Sequence, residues 1–451
     1  MNPTLKTRTA SVESAFAVGD PTPGLLLAWS PPGATPTDRA RVGEELTIGR
    51  SSRATWSLDD DLMSSVHLKV RPFGESLLVQ DEGSRNGTWV DGERLAEPRT
   101  LSWGALVRAG QCLFVAHPDL QRLEAPASAP AEMAGPFFAP VLVRTLEIAA
   151  RTEKHVLLVG ESGTGKELCA RWLARRISPD GPFVSHNCAR FTSADEAEAT
   201  LFGVGKAVFS GVGERAGLLE EAEGGVLLLD ELHALPRRVQ QSLLRFAEDG
   251  RHARIGGAQR ALAVRIVFAT NVPITAEPSD EAIASDLVAR LFMVEVPSLA
   301  QRRADVPALF VSALDRAARA QGFDAATIRA VLKADHFEAL CLADWTDRNV
   351  RALENLAAEV GSWCLERGME PREAVRRVFG DRLGQSPVVL RADRGPGAGA
   401  SHYEANREQI VTAYQAAGGN LTRAERDLKA AGLKVNRRWL AEFLRRWGVR
   451  A

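Results

Sequence analysis

Two short runs of residues in this chain could do chemistry together. The first is Gly160-Glu-Ser-Gly-Thr-Gly-Lys-Glu167. Gly160, Gly163 and Gly165 let backbone N–H groups approach an anion, and Lys166 can reach terminal phosphates from the start of a helix. The second run is the pair Asp230-Glu231, at the end of Gly224-Gly-Val-Leu-Leu-Leu-Asp-Glu231. Asp230 is suited to hold magnesium, directly or through water, and Glu231 to polarise an attacking water. A glycine-rich turn alone, or an acidic strand end alone, is common. Both in one chain point to phosphoryl chemistry.

Elements must carry these groups. The four apolar residues Val156–Val159 read as a buried parallel strand, and Lys166 opens a helical pattern with Leu168, Cys169, Trp172 and Leu173. Composition is that of ordinary globular protein: 451 residues, 25% charged, 45% hydrophobic, formal net charge −1. No apolar run is long enough for a membrane helix, and the N-terminus lacks a signal-peptide core. Five scattered cysteines with no CxxC pair predict reduced thiols and a cytoplasmic protein.

The same residues carry a family resemblance. GESGTGKE, with Glu167 where a magnesium-binding Ser/Thr is usual, resembles the AAA+ module of bacterial enhancer-binding proteins, the sigma-54-dependent activators. So do Asn187-Cys188-Ala189, Leu201-Phe202-Gly203, Ala269-Thr270-Asn271 and Asn349-Val-Arg-Ala-Leu-Glu-Asn355. The resemblance covers residues 136–380. It implies ATP and Mg2+ as cofactors, with Gly160, Glu161, Ser162, Gly163, Thr164, Gly165, Lys166 and Glu167 around the phosphates. Asp230 would be the metal ligand and Glu231 the catalytic carboxylate. Asn187 would be the switch that restrains Glu231, or a loop-capping Asn. Asn271 would be sensor I, and Arg351 sensor II despite one extra residue in Trp345-Thr-Asp-Arg-Asn-Val-Arg351. Arg290 would be an arginine finger, or simply a surface ion pair. The family's second finger position holds Ala284. Ala207-Val-Phe-Ser-Gly-Val212 stands where the family contacts sigma-54, with Phe209, Ser210 and Gly211 as the contact residues.

Ahead of this module, residues 24–119 show short strand-like runs separated by turn signals such as Asn86-Gly87 and Asp91-Gly92, which predict a β-sandwich. Gly49-Arg50, Ser64-Ser-Val-His67 and Asp81-Glu-Gly-Ser-Arg-Asn-Gly-Thr88 resemble a forkhead-associated (FHA) domain, a reader of phosphothreonine. That resemblance assigns phosphate contact to Arg50 and Ser64, peptide-backbone contact to Asn86 and a bracing role to His67. Arg85 would supply part of the charge. Turn chemistry and solvated arginines are the plain alternatives.

The chain is thus expected to be multidomain. Residues 1–23 read as disordered, 24–119 as an all-β FHA sandwich, and 120–136 as a linker. An α/β AAA+ ATPase follows at 137–300, a helical lid at 301–381 and a second linker at 382–400. The all-α tail at 401–451 has ten Lys/Arg against five Asp/Glu. It resembles a Fis-type helix-turn-helix, whose third helix would set Arg437 and Arg438 at DNA base edges. Implied partners are sigma-54 RNA polymerase, DNA, a phosphothreonine peptide and further copies of the chain in a hexameric ring. Two rivals remain open: an AAA+ regulator independent of sigma-54, and a weakly catalytic FHA/DNA scaffold.

Overall fold

The computed structural model describes residues 20–31, 38–123, 133–205, 214–272, 274, 283–383 and 407–431, with positions 440, 444 and 449. The chain divides into two units, Met1–Val389 and Leu390–Ala451.

The first unit begins with a β-sandwich. One sheet has the order Arg39–Arg41, Gly24–Trp29, Cys112–His117, Leu106–Ala109, Thr88–Val90, Glu93–Arg94. The other has the order Trp56–Ser57, Leu46–Gly49, Leu68–Phe73, Ser76–Asp81, Arg99–Leu101. Between them lie Leu25, Leu27, Ile48, Leu68, Val70, Val79 and Phe114. The strands Gly24–Trp29 and Cys112–His117 show no polar alternation, and the fold shows why. Leu25, Leu27, Cys112 and Phe114 face the sandwich core, whereas Leu26, Ala28, Leu113 and Val115 enter a separate cluster with the lid residues Leu309, Phe310 and Phe337. A strand covered on both faces has no place for alternating polar residues.

The central α/β domain has a five-stranded sheet in the order Phe183–Asn187, Val226–Asp230, Arg265–Thr270, Val156–Val159, Phe292–Glu295. Every pair is parallel. In such a sheet ligands bind beyond the carboxyl ends of the strands. Both predicted runs leave the sheet on that side, one after Val159 and the other at Asp230. The lid follows as helices Val306–Gln321, Ala325–Val331, Ala334–Leu342, Asn349–Glu366 and Pro371–Leu383. Residues 120–136, read as a linker, begin with a 3-10 turn, Leu120–Leu123, whose Leu120 and Leu123 are buried in the lid cluster.

Asp305, fully buried, joins the lid to the α/β domain. Its carboxylate accepts from Phe137 N (2.9 Å) and Phe138 N (3.1 Å) at the start of helix Phe138–Arg151.

The second unit has helices Arg407–Ala416 and Leu421–Ala430. Gly418 and Gly419 take positive φ in the turn, and Asn420 caps the second helix by accepting from Thr422 N and Arg423 N. Ile410, Tyr414, Ala424, Leu428, Leu440 and Leu444 form its core. The predicted DNA-reading residues Arg437 and Arg438 lie outside the described residues. Among those described, no helix is long and apolar enough to cross a membrane. All five cysteines are free thiols.

Acid sensitivity follows from how the histidines are held. Burial pushes His117 and His155 down to about 4 from an ordinary 6.5. In each, Nδ1 accepts a backbone N–H, from Asp119 and Ile266 respectively, so protonation breaks a bond. His67 and His186 are likewise lowered by burial. A base whose folded value lies below its unfolded one stabilises the fold above pH 6.5 and loses that contribution as pH falls toward 4. Asp305 opposes this, because burial raises its carboxyl to about 6 and its contribution grows as pH falls. Four histidines against one buried aspartate predict a net fall in Tm from pH 6.5 to 4. A flat Tm across that window in thermal melts at several pH values would refute this balance.

Candidate functional site

The phosphate loop is shaped by glycines at positive φ, Gly163 at +75° and Gly165 at +106°. Gly163 is also where the lid comes closest: a Cβ there would fall 1.9 Å from Arg348 O. Lys166, 8% exposed, donates from Nζ to Gly160 O (2.7 Å) and Glu161 O (3.0 Å). Burial lowers its ammonium from the usual lysine range, while the charges of Asp230 and Glu231 hold it up. The loop is thus a buried cation facing two carboxylates, with Thr164 Oγ1 donating to Glu161 O (2.9 Å) to tighten the turn. Glu167, at the magnesium-ligand position, is exposed and paired with Arg171 one turn along (2.8 Å).

At the neighbouring strand end, Glu231 N donates to Asp230 Oδ1 (2.9 Å), and Glu231 itself is left-handed at φ 54°. A non-glycine residue held there is strained, and such strain gathers at functional sites. Glu231 Oε2 is buried without a hydrogen-bond partner. His233 Nδ1 stands 3.5 Å from it and 3.3 Å from Thr270 Oγ1. Sequence reading passed over His233, whose only signal was its place two residues beyond Glu231.

Asn187 pairs in register with Asp230, which brings it beside the acidic pair. Its side-chain oxygen accepts from Ala189 N (2.9 Å) and so caps a 3-10 turn, the plainer of the two roles open to it. Asn271 follows Thr270, which pairs with Val159 at the mouth of the phosphate loop. Arg351 is exposed on the first turn of helix Asn349–Glu366, next to Gly163, and its charge is felt at Lys166. Arg290 lies apart, ion-paired to Glu248 (2.6 Å) with both side chains nearly half exposed. Such a surface pair contributes about 0–1 kcal/mol, so it holds Arg290 only weakly. Ala284 precedes its helix, with its N–H donated to Gln240 Oε1 (2.8 Å). Phe209, Ser210 and Gly211 lie outside the described residues.

Two more residues complete the nucleotide side. Asn349, 1% exposed and at φ 44°, donates from Nδ2 to Glu161 Oε2 (2.9 Å) and Ser162 O (3.2 Å). Its Oδ1 accepts from Leu299 N (2.9 Å). Arg302, 5% exposed, donates to Thr164 O (3.0 Å). In sequence Arg302 reads as an ordinary polar residue of a helical lid, and Asn349 only as the first residue of the Asn349–Asn355 motif with no role of its own, because their partners are distant in the chain.

On the sandwich, the predicted peptide-binding residues share one edge. Ser64 Oγ accepts from Arg85 N (3.1 Å), Asn86 Nδ2 donates to Leu62 O (2.6 Å), and Arg50, exposed, donates its backbone N–H to Ser64 O. His67, fully buried, accepts Ser64 N at Nδ1 (3.1 Å), so Nε2–H donates to Gly87 O (3.2 Å). That neutral tautomer ties the loops together, as a bracing residue must.

A parallel sheet with a glycine-rich phosphate loop, acidic strand end and helical lid defines a P-loop α/β ATPase fold, here behind a β-sandwich. Residues 139–297 match the family described as Sigma-54 interaction domain, and residues 46–110 the FHA domain. The chain is 34% identical over 333 residues to the nitric oxide reductase transcription regulator NorR1 of Cupriavidus necator, covering 70% of this chain and 62% of that protein. It is 39% identical over 181 residues to a Nif-specific regulatory protein of Rhizobium etli, covering 39% of this chain and 31% of that one. Among solved structures, NtrX from Brucella abortus in complex with ADP aligns at 28% identity and TM-score 0.48, covering 71% of this chain and 70% of that one. The chain therefore carries a sigma-54 interaction domain and an FHA domain. It spans less than two thirds of the length of either curated relative.

Proposed function

We propose that the protein is an ATP-driven transcription regulator that activates sigma-54 RNA polymerase under phosphothreonine control. The observation that carries this reading is the convergence of Lys166 with Asp230 and Glu231 at the carboxyl edge of one parallel sheet. Lys166 binds the terminal phosphates of ATP, Asp230 holds Mg2+, and Glu231, strained and with one free buried oxygen, polarises water. Arg290 acts from a neighbouring subunit of a ring. Phe209, Ser210 and Gly211 touch sigma-54, and the basic tail binds DNA through Arg437 and Arg438. Arg50, Ser64, Arg85 and Asn86 grip a phosphothreonine peptide. A weakly catalytic variant of this reading draws support from Ala284, which leaves the second finger position without an arginine.

The test is a reconstituted transcription assay on a sigma-54 promoter. Phe209→Ala should keep ATPase activity and DNA binding while losing activation. A mutant that activates like wild type would remove the contact assignment. A wild type that never activates would leave the chain as a sigma-54-independent regulator.

A further inference from the structure

Two consecutive arginines reach in opposite directions. Arg302 donates to Thr164 O of the phosphate loop (3.0 Å). Arg303 donates from Nη1 to Asp91 Oδ1 (3.1 Å) and Gly104 O (2.7 Å), both in the FHA sandwich. Asp91 directly follows the short strand Thr88–Val90, which begins just past Asn86 and Gly87 of the peptide-binding edge. Asp91 is also locked in place, at φ 47° and with Oδ1 accepting from Leu106 N (3.0 Å). One short rigid strand and one dipeptide therefore separate the peptide loop from the phosphate loop.

The surrounding contact is that of a packed interior. Trp29 stacks on Phe337 of the lid with ring centroids 3.9 Å apart. Arg108 pairs with Glu338 at 2.7 Å, with the Glu338 side chain only 2% exposed. Gln111 Oε1 accepts from Ala334 N (3.3 Å) at the first turn of helix Ala334–Leu342. Removing one partner of a buried ion pair is strongly destabilising, and an apolar cluster runs unbroken across the join. Sandwich and lid must move together.

We propose that phosphopeptide occupancy of the FHA loops and nucleotide occupancy of the phosphate loop are coupled within one protomer through the Arg302–Arg303 pair. The proposal rests on the reading of the two sites given above and adds the route between them. Coupling between two binding equilibria is reciprocal, so the same factor must appear in both directions. Spatial adjacency alone does not establish a route, and loss of coupling in a variant is the physical criterion.

The experiment uses the full chain, a phosphothreonine peptide pool and a fluorescent ATP analogue. Peptide affinity is measured with and without nucleotide, and nucleotide affinity with and without peptide. Wild type should show a change of about fivefold or more, equal in both directions. Arg303→Ala should bind each ligand alone as wild type does, with the coupling factor reduced to one. Arg303→Lys should restore part of it, because a single nitrogen makes both bonds to the sandwich. Asp91→Asn, which keeps the turn and removes the charge, should lower the factor. Wild type binding both ligands without mutual effect, or Arg303→Ala keeping full coupling, overturns the proposal. Wild type failing to bind nucleotide at all overturns the functional reading, and the coupling with it.

Discussion

Glu231→Gln is expected to bind ATP as tightly as wild type and to turn it over roughly 10²–10⁴-fold more slowly, the range for losing a positioned general base. The substitution keeps the side chain's size at a left-handed position, φ 54°. It removes only the charge from an oxygen that lies buried with no hydrogen-bond partner. Lys166→Ala should behave in the opposite way and lose binding itself. Its ammonium is the buried cation of the loop, held by Gly160 O and Glu161 O and facing Asp230 and Glu231. Equilibrium nucleotide binding and single-turnover hydrolysis separate the two. If Glu231→Gln hydrolyses like wild type, another group is the base; if Lys166→Ala still binds, the phosphates lie elsewhere.

Gly163→Ala should disable the site without touching a charged group. At φ +75° an alanine carries a left-handed penalty of about 1–2 kcal/mol. Its Cβ would also meet Arg348 O at 1.9 Å, and that neighbour is backbone and cannot rotate away. The lid must then retreat from the phosphate loop, breaking the hydrogen bonds of Asn349 to Glu161 and Ser162. Nucleotide affinity should fall at least tenfold, by roughly 1.4 kcal/mol or more. Gly165→Ala is the internal control. Its φ is +106°, yet nothing lies within 4 Å of the added atom, so only strain remains and the loss should be smaller. Equal losses would mean that lid contact does not matter at Gly163.

Much of the candidate site was legible because it is local. The phosphate loop and the strand-end carboxylates are contiguous runs whose spacing is set by backbone geometry, and a short apolar strand followed by glycines and a lysine has few other uses. The FHA edge was legible for the same reason, its residues lying at the ends of consecutive strands. Contacts between distant segments were not. Arg302 and Asn349 meet the phosphate loop across 138 and 188 or fewer positions of chain. Nothing near Arg302 distinguishes it from a solvated lid residue, and the motif that holds Asn349 does not say what its side chain touches.

By itself, then, the sequence determined which local elements form and which of them place glycines, a lysine and carboxylates at strand ends, since both follow from short-range sterics and hydrogen bonding. Tertiary structure alone decided what the outer face of the sandwich is for. Leu25-Leu-Leu-Ala-Trp29 and Cys112-Leu-Phe-Val115 announce strands buried on both sides, but an apolar side chain does not name its partner. Packing chose the lid, placing Leu26 and Val115 with Phe310 and Phe337. The non-directional pull of apolar burial brought the faces together, and the directional contacts of Arg108, Gln111 and Arg303 set their register.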